Sequence, residues 1–117
     1  MIICPLWILY PLRNEMNWKI KDFDKGLKKK HFVHRKYKKN NPHYFFYLEY
    51  PAESGIICVH INTWRSDHSK QDFISDNRIS DSADELHFEK KKDFEDFLIC
   101  TFSYEKYIDL LISKNLL

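Results

Sequence analysis

The sequence predicts an α+β domain, and three observations carry that expectation. A helical apolar stripe comes first, three short strand-like runs joined by polar turns follow, and the second half returns to helical spacing. The 117 residues fit one domain of ordinary size, and 44% apolar with 16% aromatic residues suffices for a core, which excludes disorder as the default. Two Gly and four Pro are too few for a many-turned sandwich or a collagen-like array.

Residues 1–15 stand apart from this pattern as an apolar N-terminal extension, and residues 16–117 form the expected domain. Residues 1–12 (MIICPLWILYPL) lack the basic start and small-residue cleavage site of a signal peptide. They fall short of the about 20 apolar residues that span a bilayer, and Pro5 and Pro11 break a helix. Two readings fit: translation starting at Met16, or an edge strand or apolar patch docked on the fold.

From Asn17, a candidate N-cap, Ile20, Phe23 and Leu27 fall at i, i+3 and i+7 with Lys and Asp between them. Lys28, Lys29 and Lys30 close that helix, where cations offset the dipole. Three strands are expected next, at 32–37, at 43–50 (HYFFYLEY) and at 56–63 (IICVHINT). Asn40-Asn41-Pro42 and 51–55 (PAESG) supply the turns, so the strands form an antiparallel meander. A polar stretch, WRSDHSKQD, leads to the helical half. There Ile79, Ala83 and Leu86 share a face, as do Phe94, Phe97 and Leu98. Tyr104, Tyr107, Ile108, Leu111 and Ile112 complete the pattern, with Ser103 as N-cap. The order is α-β-β-β-α with further C-terminal helices.

The formal charge of +2 conceals a separation: residues 16–50 carry ten Lys+Arg against three Asp+Glu, and residues 51–117 carry eight against thirteen. The window 25–39 (KGLKKKHFVHRKYKK) has no acid, and Phe32 and Tyr37 are interleaved. Phosphates favour Lys and Arg and unpaired bases stack on aromatics, so this window is a candidate RNA footprint. It also fits a solvated helix end followed by an edge strand guarded by lysine.

Three scattered Cys (Cys4, Cys58, Cys100) without C-x-x-C spacing read as reduced thiols of a cytoplasmic protein. Phosphate-cradling glycine motifs are absent, since Gly26 and Gly55 stand alone. His43, opening the second strand beside the basic window, is the candidate general acid or base for an RNA 2′-hydroxyl, or a plain surface histidine. Cys58 and His60, two apart on a strand, with His68 beyond, are a chance-level metal set, and Asp67, Asp72 and Asp76 form no better one. The Lys90-Lys91-Lys92 run reads as a solvated face.

The phrases KKKHFV, NNPHYFFY and RSDHS resemble, in order and placement, small proteins of the HicA toxin kind. They are also similar to an uncharacterised prokaryotic family with a D-H-x-Y-Y strand start, an S-H-G loop and a C-x-x-S-x-x-x-Y helix entry. Cys100, Tyr104 and Tyr107 (CTFSYEKY) stand where that last motif falls. The resemblance covers roughly residues 18–111. It implies a double-stranded-RNA-binding-like (dsRBD-like) fold and a metal-independent endoribonuclease without cofactor. His43 would be catalytic, Lys28, Lys29, Lys30, Arg35, Lys36, Lys38 and Lys39 would hold phosphates, and a small antitoxin-like protein would be a partner. The departures are Asn41-Pro42-His43 in place of Gly-Ser-His, His31 in place of a helix-ending glycine, and Ser69 in place of the loop glycine. A non-enzymatic interaction or homo-oligomerisation module is the other expectation, and neither reading places the chain in a membrane.

Overall fold

The apolar stripe of the first helix becomes the inner side of α1 (Ile20–Lys29), where Phe23 and Leu27 are fully buried. The computed structural model describes residues 17–35, 43–66, 73–99 and 101–117. Asn17 is not the N-cap. Asn17–Lys19 instead form a short strand, β1, paired antiparallel with β5 (Phe73–Ser75), and Lys19 caps α1 without a side-chain hydrogen bond. The pairing sets Trp18 opposite Ile74, both buried, and the indole N–H donates to Glu95 at 3.1 Å. Burying a large aromatic is worth more than the about 1 kcal/mol of one N-cap bond.

The helix ends as the lysines predict, but the next residue does what glycine usually does. His31 adopts φ 62°, the left-handed conformation, and its ring packs edge-on against Tyr104 at 4.8 Å. The missing glycine therefore leaves the helix end intact.

The meander follows as β2 (Phe32–Arg35), β3 (His43–Glu49) and β4 (Ile57–Ser66), antiparallel in that spatial order. The expected continuation of the first strand to 37 and the turn at 40–42 lie outside the described residues. β4 runs three residues past the expected end: Trp64, Arg65 and Ser66 pair with Phe45, Tyr44 and His43. Strand alternation persists there, with Thr63 and Arg65 turned inward. Polar composition had disguised these residues as a loop.

A register shift interrupts β4, because Leu48 pairs with Cys58 whereas Tyr47 pairs with Asn62. Cys58 and Asn62 are four positions apart, an even offset that would put them on one face, yet they take opposite faces, so the bulge flips the alternation.

The helices α2 (Asp76–Glu85), α3 (Lys91–Ile99) and α4 (Tyr104–Ser113) join α1 on the sheet face that carries Phe32 and Phe46. Phe23 of α1 meets Phe46 edge-on at 5.7 Å, and Phe97 of α3 and Tyr107 of α4 both meet Phe32 at 6.1 Å. Ser75 and Ser103 cap α2 and α4 by accepting from Arg78 N and Lys106 N, the second as its sequence position predicts. Phe88, between α2 and α3, stacks on Tyr107 at 4.9 Å and touches Phe94, Phe97 and Phe102. Each such aromatic pair adds about 0.5–1.5 kcal/mol beyond burial. The result is an α+β architecture of four helices, a three-stranded antiparallel sheet and a two-stranded one. Among the described residues no helix is long and apolar enough to cross a membrane.

Candidate nucleic-acid interface

With Phe23 and Leu27 turned to the core, the opposite side of α1 is left to its charged residues. Lys21, Lys25, Lys28 and Lys29 are exposed there, and together with Asp24 they line an open depression of about 540 Å³. Their spacing of four, three and one residues is the polar counterpart of the apolar stripe. Lys25 opens the window 25–39 that the sequence marked, whereas Lys21, on the same helix side, lies before it and was not singled out. The helical phase of the charges, rather than their local density, is the signal that marks Lys21.

One carboxylate breaks the series and is neutralised from the sheet. Arg65 donates from Nε and a terminal nitrogen to the two oxygens of Asp24, both at 2.7 Å, in a forked pair with side chains 10% and 19% exposed. The Arg65 guanidinium also lies 4.5 Å from the Tyr44 ring centre. The pair ties α1 to β4 and cancels the acid within the lysine face.

Lys30 does not join the other lysines. It is 8% exposed, and its ammonium donates to the carbonyls of Phe97 and of Phe102 (3.0 Å), with Nζ 4.5 Å from the Phe97 ring centre. Burial lowers its pKa from 10.5 to about 8, against the charge of Glu105, which raises it, with Lys29 lowering it further. It is therefore committed to closing the C-terminal end of α3 and is withdrawn from phosphate binding.

His43 opens β3 and is half-buried on the sheet face opposite the helices. Its ring stacks on Trp64 at 3.9 Å with a 19° tilt and meets Phe45 at 6.0 Å. Arg78 of α2 lies 3.8 Å from the same indole centre. Two groups so close to one ring centre cannot share a face, so the indole is held between His43 and Arg78. Arg78 is fixed in turn by Glu85, which also accepts from the buried Thr63 hydroxyl at 2.7 Å, while the Ser82 hydroxyl, able to donate, lies 2.7 Å from Thr63 Oγ1. The imidazole thus has a set orientation. Neither Trp64 nor Arg78 was legible as its support, because their proximity depends on the extension of β4.

Arg35 is exposed on β2, opposite Phe45, and so lies on the same outer face as His43. The predicted residues therefore divide: Lys28 and Lys29 on the outward side of α1, Arg35 and His43 across the sheet from them, and Lys30 inside. Lys36, Lys38 and Lys39 lie outside the described residues.

The other candidate groups do not assemble. Cys58 is half-buried, and its thiol pKa is raised by burial. His60 is exposed and donates from Nε2 to the Leu116 carbonyl at 2.9 Å. His68, Asp67, Asp72, Cys4 and Cys100 lie outside the described residues, and Asp76 accepts from Lys91. Among the described residues no three His, Cys, Asp or Glu side chains are grouped to hold a metal. Lys92 is 79% exposed, in keeping with a solvated face, whereas Lys91 is only 32% exposed beside Asp76. In comparisons with known proteins, no protein-family model, no curated protein and no solved structure matches this chain.

Proposed function

We propose that this chain binds RNA, in the manner of the HicA-type toxins it resembles, with the outward face of α1 as the phosphate-contacting surface. The observation that carries the reading is the exposed quartet Lys21, Lys25, Lys28 and Lys29 on one helix side, with Asp24 already neutralised by Arg65. A line of ammonium groups about 10 Å long, held by a helix whose other side is anchored, suits a sugar–phosphate backbone and is indifferent to base sequence. The order α1-β2-β3-β4 with helices on one sheet face is compatible with a dsRBD-like core. Cleavage by His43 is a separable second part of the reading, supported by the clamped imidazole and not by proximity to the lysine face.

The test is an RNA-binding titration at two salt concentrations with the triple variant Lys25→Glu, Lys28→Glu, Lys29→Glu. Binding should weaken at least tenfold at low salt. The slope of log affinity against log salt should fall by about 2–3, as for the loss of three phosphate contacts. Unchanged affinity would refute the interface. A His43→Ala variant should retain RNA affinity and lose any cleavage that the wild type shows; cleavage that survives removes His43 from catalysis. A chain that gives no salt-sensitive binding but elutes as a stable oligomer is an interaction module instead.

A further inference from the structure

We propose that the cleft between the end of β4, β5 and the first turns of α2 is a base-binding site that takes guanine. The proposal rests on the RNA-binding reading for the source of that base, and it adds a sequence preference to a lysine face that has none.

The cleft holds about 460 Å³, a size at which small-ligand sites are found. Ile20, Trp64 and Ile74 give it an apolar floor. Along β5 the alternation buries Ile74 and leaves Phe73, at the cleft, 50% exposed. An aromatic ring so exposed offers a face on which a second flat ring can stack. The polar groups come from α2, where Asn77, Arg78 and Asp81 share one side at i, i+1 and i+4. Arg78 is committed to Glu85 and to the Trp64 ring. Asn77 and Asp81 are exposed, and among the described residues neither side chain has a hydrogen-bond or ion-pair partner.

A carboxylate only accepts hydrogen bonds, whereas an amide also donates. Guanine presents an N1–H and an N2 amino group side by side, with the O6 acceptor next to them. The two oxygens of Asp81 can take both donors while the Asn77 amide donates to O6, and one helical turn between the two side chains puts them on the same base edge. Adenine and cytosine offer one amino group beside a ring acceptor, and uracil one N–H between two carbonyls. Each would set a lone pair against the carboxylate. The place suits the RNA reading as well. Trp64 carries His43 on one face, and Ser66, on the cleft wall, pairs with His43 across β3 and β4. The cleft also reaches α1 at Ile20, the residue before Lys21, so one strand can seat a base in the cleft and run on to the lysine side.

The test uses the full chain and two kinds of probe. Guanosine and adenosine monophosphates, which share their phosphate, are titrated against the protein and followed by NMR. The guanosine form should shift the Asn77 side-chain amide and the Trp64 indole signals, with an affinity about fivefold or more above that of the adenosine form. In Asp81→Asn, an exposed and isosteric change, the ratio should fall below about twofold. Equal affinities for the two nucleotides, or shifts that spare Asn77 and Trp64, overturn the proposal. The second probe is a single-stranded oligoadenosine with or without one guanosine, titrated at two salt concentrations. Salt-sensitive binding of both strands with no preference for guanosine overturns the cleft and leaves the lysine face standing. A chain that seats guanosine monophosphate at Asn77 and Trp64 but binds neither strand keeps the cleft and refutes the RNA reading. Failure of both probes refutes the two together.

Discussion

Three consecutive lysines end α1, and position 30 differs from the other two because it falls just past the last helical residue, where its ammonium lies 4.5 Å from the Phe97 ring centre. The Phe97 carbonyl, in the last turn of α3, lacks an intrahelical donor, and the Lys30 ammonium donates to it and to the Phe102 carbonyl in the connection to α4. Lys30→Met should therefore destabilise the fold by about 1–3 kcal/mol, the cost of leaving buried acceptors unpaired. Lys28→Met, on the solvated side, should change stability by less than about 0.5 kcal/mol. Urea midpoints of the two variants check the contrast, and equal midpoints would refute the role given to Lys30. The sequence makes the lysine run legible as a charged helix end but not as two solvent lysines and one buried one. The carbonyls that decide the difference lie 67 and 72 residues away. Residues whose roles follow from local chemistry, such as Ser103 at its cap, were legible for the same reason that Lys30 was not.

At the scale of elements, helical phase proved more informative than end signals. The stripe of Ile20, Phe23 and Leu27 located α1 and its buried side, whereas Asn17, an apparent cap, belongs to a three-residue strand that exists only through its pairing with β5. Three-residue strands carry too little pattern to be seen in a sequence, and the polar end of β4 hid the support of His43. Gly26 shows the opposite case, a residue that weakens a helix locally and is required by packing. A Cβ there would lie 2.5 Å from the Leu98 carbonyl oxygen and 2.9 Å from its Cα, which are backbone atoms that cannot swing aside. Helix propensity favours alanine by about 1 kcal/mol, but forcing α1 and α3 apart costs about 1–3 kcal/mol and disturbs the Lys30 contacts at the same crossing. Gly26→Ala should lower stability, measurable as a reduced melting temperature. A raised one would show that the helices separate freely.

The whole molecule gathers groups whose ionisation differs between folded and unfolded chains, and these set its stability against pH. Burial lowers Lys30 from 10.5 to about 8, so between those values the unfolded chain holds a proton that the folded one has released. Stability then rises with pH across that window and is flat below it as far as Lys30 is concerned. The tyrosines act in the opposite sense. Tyr104 is raised from 10.0 to about 12, chiefly by burial, and Tyr107 is raised further by burial beneath Phe88. Above pH 10 the unfolded chain loses phenol protons that the folded chain keeps, and stability falls. On the acid side, burial lowers His87, helped by Lys114 and His60, so below about 6.5 the unfolded chain takes up protons first and is favoured. The expected profile climbs from acid, rises again from pH 8, peaks near pH 10 and then declines. Urea midpoints at pH 7, 8, 9 and 10 trace the alkaline rise, and Lys30→Met should flatten that limb while leaving the decline above pH 10 in place. A variant that keeps the same rise would show that the lysine is not its source. Tyr107→Phe is the complementary case: it deletes one of the two phenols, so the decline above pH 10 should become shallower as the rise below it persists.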